Sequence, residues 1–463
     1  MRPTFASLLL LAALTSASAD AEFVGMFMQG KRIGYVHTVR FHEADGDRTV
    51  TSSNINAILL GQAMKMEIKA ESWSKKGRLS KQVFVVESGG RSQRISAVYE
   101  VDKVSITRTS DGATDKKTVQ IPDGALVIDD PTFGIVGKGA PEVGSKLVFY
   151  SLDPMLLELI KNEAEFMGEK EITVDGKQMK ALLIKVVDPR ATTDLYVDKA
   201  GEFVYASGLL GITLKPITRQ EALGDESYAP EVDLATATKI TPDRPIENHE
   251  DVTRLVLELK GGDLKRLKSD HYQTATRLDS DTIKLHIHPP VNGSGIATQK
   301  PAPEYLEPGL NVPSGDEEFM RLSKTIVGDE RDHHKAALAI SNEVNQIMKP
   351  KANVGMVRDA REILRTKEGV CRDYATLATT LMRAAGIASK VVTGAVYFDG
   401  AFYYHAWVEA WDGKTWIAMD PTLGGGLADA THIKFAEGNP DKAFISFTLD
   451  GVKIRVLDVT RKK

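Results

Sequence analysis

The chain has 463 residues, 42% of them hydrophobic and 26% charged, a balance that fits folded globular domains and excludes a fibrous or wholly disordered protein. Its 59 basic residues against 63 acidic ones leave a formal charge of only -4, so composition supplies no polyelectrolyte face and no nucleic-acid partner is expected. A single cysteine, Cys371, excludes any intrachain disulfide and leaves packing to stabilise the fold.

Residues 1–19 combine Arg2, an apolar run from Phe5 to Leu14 and the small-residue end Ala17-Ser18-Ala19, the pattern of a cleaved secretory signal peptide. That run is too short to cross a ~30 Å hydrocarbon core. A periplasmic or secreted location is therefore expected, with no integral membrane segment in the processed chain. Residues 20–240 alternate short β-rich runs with turn signals at Ala44-Asp45-Gly46-Asp47, Lys75-Lys76-Gly77, Ser88-Gly89-Gly90, Ser110-Asp111-Gly112 and Asp175-Gly176. This rhythm predicts an antiparallel β-meander or half-barrel, with buried strands at Gln82 to Val86 and Leu182 to Val186. One inserted helix is predicted from Pro154 to Glu165.

A smaller β unit is expected over 241–290, bridging the β-rich region to the C-terminal part of the chain. Its clearest strands are Leu255 to Leu259 and Ile283 to Ile287. His286 and His288 alternate on one strand face, but no third ligand occurs at a recognisable spacing, so they read as surface histidines. Six of the 19 prolines lie between Pro289 and Pro313, together with Asn292-Gly293-Ser294-Gly295, which marks 291–313 as a linker. The period then becomes helical. Ser314 and Glu317 suggest a capping box, Phe319, Leu322 and Ile326 share one face, and Ala337, Ile340, Val344 and Ile347 continue in a second helix. Residues 314–463 are the expected catalytic domain.

Its informative part begins at Gly369-Val370-Cys371-Arg372-Asp373-Tyr374. Gly369 separates two helices, and Tyr374, Leu377, Ala378, Leu381 and Ala385 form the apolar stripe of the second, ended by Gly386. Cys371 thus falls at a helix N-terminus, where unpaired N–H groups and the helix dipole favour a thiolate. Three strands should come next, Lys390 to Tyr397, Phe402 to Ala410 and Thr415 to Met419, joined by Asp399-Gly400 and Asp412-Gly413 turns. His405 lies inside the second strand and Asp420 ends the third, so a hairpin register can bring imidazole and carboxylate together. A thiol nucleophile, a base and an orienting carboxylate are the parts that acyl transfer requires. Trp407, on the strand face of His405, either shields the imidazole from water or is plain core.

Four blocks, Gly369-Val370-Cys371-Arg372-Asp373-Tyr374-Ala375, Arg383-Ala384-Ala385-Gly386-Ile387, His405-Ala406-Trp407-Val408-Glu409 and Asp420-Pro421-Thr422, resemble the transglutaminase-like superfamily, in the exported bacterial cysteine peptidase or amidase type. The resemblance spans Ser314 to Leu423. It implies a papain-like α+β core, and hence an α+β chain, with Cys371 as nucleophile, His405 as general base and Asp420 as orienting acid. The animal transglutaminases carry an upstream tryptophan that supports the oxyanion. Here no tryptophan lies between Trp73 and Trp407, leaving the backbone N–H of Cys371 as the nameable donor. No acidic cluster resembles their calcium loops, so neither calcium nor another cofactor is expected.

The expected activity is thiol-dependent acyl transfer on amide bonds through a thioester. Water as acceptor would make a peptidase or amidase, and a lysine-like amine a protein-glutamine transferase. Protein or peptide substrates are implied, cell-wall peptides among them given the expected compartment. The alternative is a non-catalytic binding or scaffolding protein of an envelope assembly, in which the β-rich region carries the main role.

Overall fold

The structure is a computed structural model. It describes residues 22–462 other than 44, 76, 111–112, 130–140, 190, 225–229, 263, 265–266, 268, 291–300, 352–356 and 441–450. The expected signal segment lies outside these residues, as do the whole Asn292 to Gly295 stretch and parts of the turns at Ala44, Lys76 and Asp111-Gly112. The chain divides into two units, residues 22–237 and 238–462.

The first unit is one antiparallel sheet of fourteen strands, β1 (Glu22–Met28) through β14 (Ile212–Ile217). Two meanders, β1 to β8 (Ala113–Gln120) and β9 (Lys146–Asp153) to β14, join where β1 pairs with β14. Sequence alternation explains the sheet, since side chains on a strand point to opposite faces every second residue. In β3 (Gly46–Leu59) Thr51, Ser53, Ile55, Ala57 and Leu59 are all buried, as are Met64, Met66 and Ile68 in β4 (Gln62–Lys75). The segment predicted as a helix from Pro154 to Glu165 is instead a turn over residues 154–157 followed by the start of β10 (Glu158–Val174). Its buried residues, Ile160, Asn162, Ala164 and Phe166, recur with period two, and Asn162 meets the cost of burial by donating to Ser151 Oγ at 3.0 Å and the Ile160 carbonyl at 2.9 Å. Short helices α1 (Arg219–Leu223) and α2 (Leu234–Ala237) end the unit.

The second unit has three layers. One sheet contains β15 (Val252–Lys260), β16 (Gln273–Arg277), β17 (Thr282–Ile287) and the C-terminal β24 (Lys453–Arg461), in the order β16-β17-β15-β24. The region expected to bridge two domains therefore shares a sheet with the end of the chain. The division between the two units falls at residues 237 and 238, beside the expected end of the first β-rich region at 240. Composition marks where the chain is irregular, whereas strand pairing decides what it joins. The predicted cap also differs. Helix α3 (Glu317–Val327) starts after Asp316, with no side-chain cap, because Asp316 Oδ2 accepts from Arg361 Nε at 2.6 Å, and Ser314 is buried.

Helices α3, α4 (His333–Ile347), α5 (Ala360–Thr366) and α6 (Cys371–Ala384) form the outer layer, and a two-strand parallel pair, β18 (Lys349–Pro350) with β19 (Glu368–Gly369), leads into α6. The central layer is β20 (Ser389–Phe398), β21 (Ala401–Trp411), β22 (Trp416–Met419) and β23 (His432–Gly438), in the order β22-β21-β20-β23. Val391, Ala406, Val408, Ile417 and Met419 face the helices, against Leu377, Ala378 and Leu381. Val392, Phe402, Trp407 and Ile433 face the other sheet, against Leu257, Leu285 and Ile454. A sheet covered on both sides reads as near-continuous hydrophobic strands, as β20 does. No helix among the described residues is long and apolar enough to cross a membrane.

Candidate active site

Helix α6 is buried from Arg372 to Arg383, including its polar face, so its polar groups need partners inside the protein. Thr376 and Thr380 donate to carbonyls four residues back, at 2.9 and 2.8 Å. Arg383, from the second motif block, donates to the Ser389 carbonyl through Nε and Nη2 at 3.1 and 2.8 Å, and to the Glu307 carbonyl at 3.0 Å. It thereby ties the end of α6 to the start of β20.

The other end carries Cys371 as the first helical residue. Asp373 Oδ2 accepts the Val370 N–H at 2.9 Å, satisfying a backbone donor ahead of the first turn. Arg358, itself buried, pairs with Asp373 at 3.1 Å and donates to the Glu368 carbonyl, which fixes the approach to the cysteine. Burial opposes ionisation of Asp373, but Arg358 and Arg372 hold its carboxyl below the usual range. A Cβ on Gly369 would stand 2.5 Å from both Asp373 Oδ2 and Arg358 Nη2, so this motif position has room for no side chain.

Three sequence-predicted residues converge here. His405 lies in β21 and Asp420 directly follows β22, and the Val408 to Met419 pairing brings the two side chains onto one face. His405 Nε2 donates to Asp420 Oδ2 at 2.7 Å, leaving Nδ1 for the hydrogen bond to the Cys371 sulfur. Asp420 is held by its own turn, with Oδ1 accepting the N–H groups of Thr422 at 2.8 Å and Leu423 at 3.1 Å. From α4, Asn345 Nδ2 donates to the carbonyls of Pro421 and Thr422, so a helix clamps the fourth motif block.

The electrostatics arise from this series of contacts. Burial disfavours imidazolium at His405, but the Asp420 charge and hydrogen bond, aided by Cys371, raise its pKa to about 10. Burial likewise opposes thiolate at Cys371. The hydrogen bond and charge of His405 prevail, with help from the Ala406 N–H, and bring the thiol to about 7. Burial also opposes ionisation of Asp420, whose carboxyl the imidazoles of His405 and His432 nevertheless hold far below the carboxylate range. Trp407 is wholly buried, stacked on His405 at 6.3 Å between centroids and edge-on to His432 at 5.1 Å, so it is both core and a lid over the imidazole.

Sequence reasoning missed Arg358, the Ala406 N–H and His432. The last is the most informative, because His432 Nε2 also donates to Asp420 Oδ2, at 3.1 Å. A signal existed in Thr431-His432-Ile433-Lys434-Phe435, an alternating run that begins β23. Ligand atoms of His405, Asp420 and His432 lie within 4.8 Å of one another, close enough for a cation, but two N–H···O hydrogen bonds already fill that space. His286 and His288 belong to no such group among the described residues, and His288 Nε2 instead meets Thr274 Oγ1 at 3.2 Å.

Residues 320–421 match the family model of the transglutaminase-like superfamily. Over 91 residues the chain is 33% identical to uncharacterized proteins of Mycobacterium tuberculosis and Mycobacterium bovis, an overlap of 17% of this chain. The chain spans 29% of the length of those relatives. Among solved structures, it is similar to a candidate cysteine protease from Cytophaga hutchinsonii, with 16% identity, a TM-score of 0.31, and coverage of 46% of this chain and 86% of that one. It is also similar to a β-barrel-like protein of unknown function from Brucella abortus, with 11% identity, a TM-score of 0.33, and coverage of 44% of this chain and 98% of the other.

Proposed function

We propose that the protein is a thiol-dependent enzyme acting on amide bonds, with Cys371 as nucleophile, His405 as general base and acid, and Asp420 as orienting carboxylate. The observation that carries this reading is the hydrogen-bonded series Cys371–His405–Asp420, set with its sulfur at the N-terminus of a buried helix. The thiolate attacks the carbonyl carbon, and the displaced electron pair moves onto oxygen, where the first-turn N–H of Cys371 can donate to it. Collapse breaks the C–N bond, the amine leaves with a proton from His405, and a thioester remains. His405 then deprotonates water, which attacks the thioester and restores the thiol. Hydrolysis is the preferred reading, with peptides as substrates. A periplasmic or secreted setting, proposed from residues 1–19, makes cell-wall peptides one such class.

With one cysteine in the chain, alkylation has one address. The rate of iodoacetamide reaction from pH 4 to 9 should show an inflection near 7, below the ~8.5 of a free thiol, and His405→Ala should slow it at least about tenfold at pH 7. Native Cys371 that stays unreactive while the unfolded chain labels normally would overturn the proposal in favour of the scaffold.

A further inference from the structure

The carboxylate of Asp420 serves two imidazoles, not one. His405 and His432 both donate through Nε2 to the same oxygen, Oδ2, at 2.7 and 3.1 Å. Behind His432 stands a second carboxylate. Its Nδ1 lies 3.1 Å from the Asp429 carbonyl and 3.3 Å from Asp429 Oδ1, an oxygen that already accepts from the Thr431 N–H and hydroxyl at 2.7 and 2.5 Å. Both ring nitrogens of His432 therefore face acceptors alone, and only an imidazolium has a proton for each. Burial disfavours that cation, yet the two aspartates raise the His432 pKa to about 9.

We infer that His432 is a positioning residue of the triad: a buried imidazolium that holds Asp420 by the oxygen facing His405 and offsets part of its charge. The inference rests on the reading of Cys371, His405 and Asp420 as the reacting series. An aspartate facing His405 alone would bind the imidazolium proton more tightly. Sharing the carboxylate loosens that proton and makes His405 a better acid toward a departing amine. The groups facing His432 are Asp420 after β22, Asp429 ahead of β23, His405 on β21, Cys371 beyond it, and His249, whose Nδ1 is 3.8 Å from Asp429 Oδ2. Tyr272 donates from its hydroxyl to the Asp429 carbonyl at 3.2 Å, and Lys434, two residues along β23, is turned onto Glu409. Two carboxylates against one added cation is the balance that keeps His432 charged.

Two measurements on the full chain test this. The ¹⁵N spectrum of histidine-labelled protein at pH 7.5 should show both His432 ring nitrogens protonated. A single-proton tautomer overturns the inference without any variant being needed. Alkylation by chloroacetamide from pH 5 to 11 should then show two inflections, the thiol near 7 and an upper one, from loss of the His405 proton, near 10. In His432→Gln, which keeps an N–H donor and loses the charge, the lower inflection, reached while wild-type His432 is still charged, should rise by about 0.5 unit. A folded variant whose lower inflection stays in place assigns His432 to packing and overturns the inference, leaving the triad reading intact. Wild-type Cys371 with no activated limb at all would instead overturn the triad reading, and the inference with it.

Discussion

At Asp420 one carboxylate organises every group around the thiol. Oδ1 is fixed by two backbone donors and Oδ2 by two imidazoles, so replacing the charge with an amide changes electrostatics more than shape. Asp420→Asn should drop His405 toward its ordinary pKa and deprive the thiolate of its counter-ion. Alkylation of Cys371 at pH 6.5 is then expected to fall at least about tenfold, while the urea midpoint reports whether the fold is retained. Arg358 is legible only in three dimensions, since nothing in its local sequence announces a guanidinium buried against Asp373. Its partner could be read in part, because an acidic residue in the first turn of a helix is a familiar anchor.

The central sheet of the second unit depends on a cluster of buried charge on the same face as His405. Glu409 is wholly buried on β21 and pairs with Lys434 of β23 at 2.9 and 3.0 Å, and with Lys390 of β20 at 3.1 Å. Burial opposes its ionisation, and the two lysines hold its carboxyl well below the usual range. Lys434 also reaches Asp270 at 2.7 Å, linking the two sheets. Lys434→Met should destabilise the unit by ~3–5 kcal/mol, because it leaves a buried carboxylate short of a cation. Adding Glu409→Gln should recover part of that loss in a urea double-mutant cycle. Gly394 makes a sharper case. A Cβ there would stand 1.8 Å from the Ile433 carbonyl oxygen and 2.7 Å from the Trp407 ring, so Gly394→Ala should cost about 3 kcal/mol or more, read as a lowered urea midpoint. Strands β20 to β22 were evident from alternation and Asp-Gly turns. Strand β23 was not, because its partner is β20, which lies more than thirty residues earlier.

For the molecule as a whole, the site makes folding a proton-linked event. His405 and His432 have raised pKa values, so their contribution is complete below about 6.5 and is lost as pH rises through about 9 and 10. Asp420 and Asp429 are depressed, so theirs is present above about 4 and disappears as pH falls below it. Cys371 acts in the second sense near neutrality, since its folded value of about 7 lies below that of a free thiol. At pH 8 folding should take up two protons at the histidines and release one at the thiol, a net uptake of about one. Stability from urea titrations should therefore decline between pH 7.5 and 9, and more steeply in Cys371→Ala, which lacks the offsetting release.

The α+β class came with the family resemblance, and local sequence pattern carried the antiparallel character of the first region and the helix that presents Cys371. That pattern also placed His405 and Asp420 on adjacent strand segments, because strand alternation, turn residues and helix stripes act over a few neighbouring positions. Long-range pairing made residues 158 to 174 a strand rather than a helix start, since partner strands on both sides override a local apolar pattern. Only the tertiary structure decided that β15 closes against β24, and that His432 and Arg358 stand behind the site. Those facts depend on which distant segments pair and on which charges burial forces together, and neither is written in any one stretch of the chain.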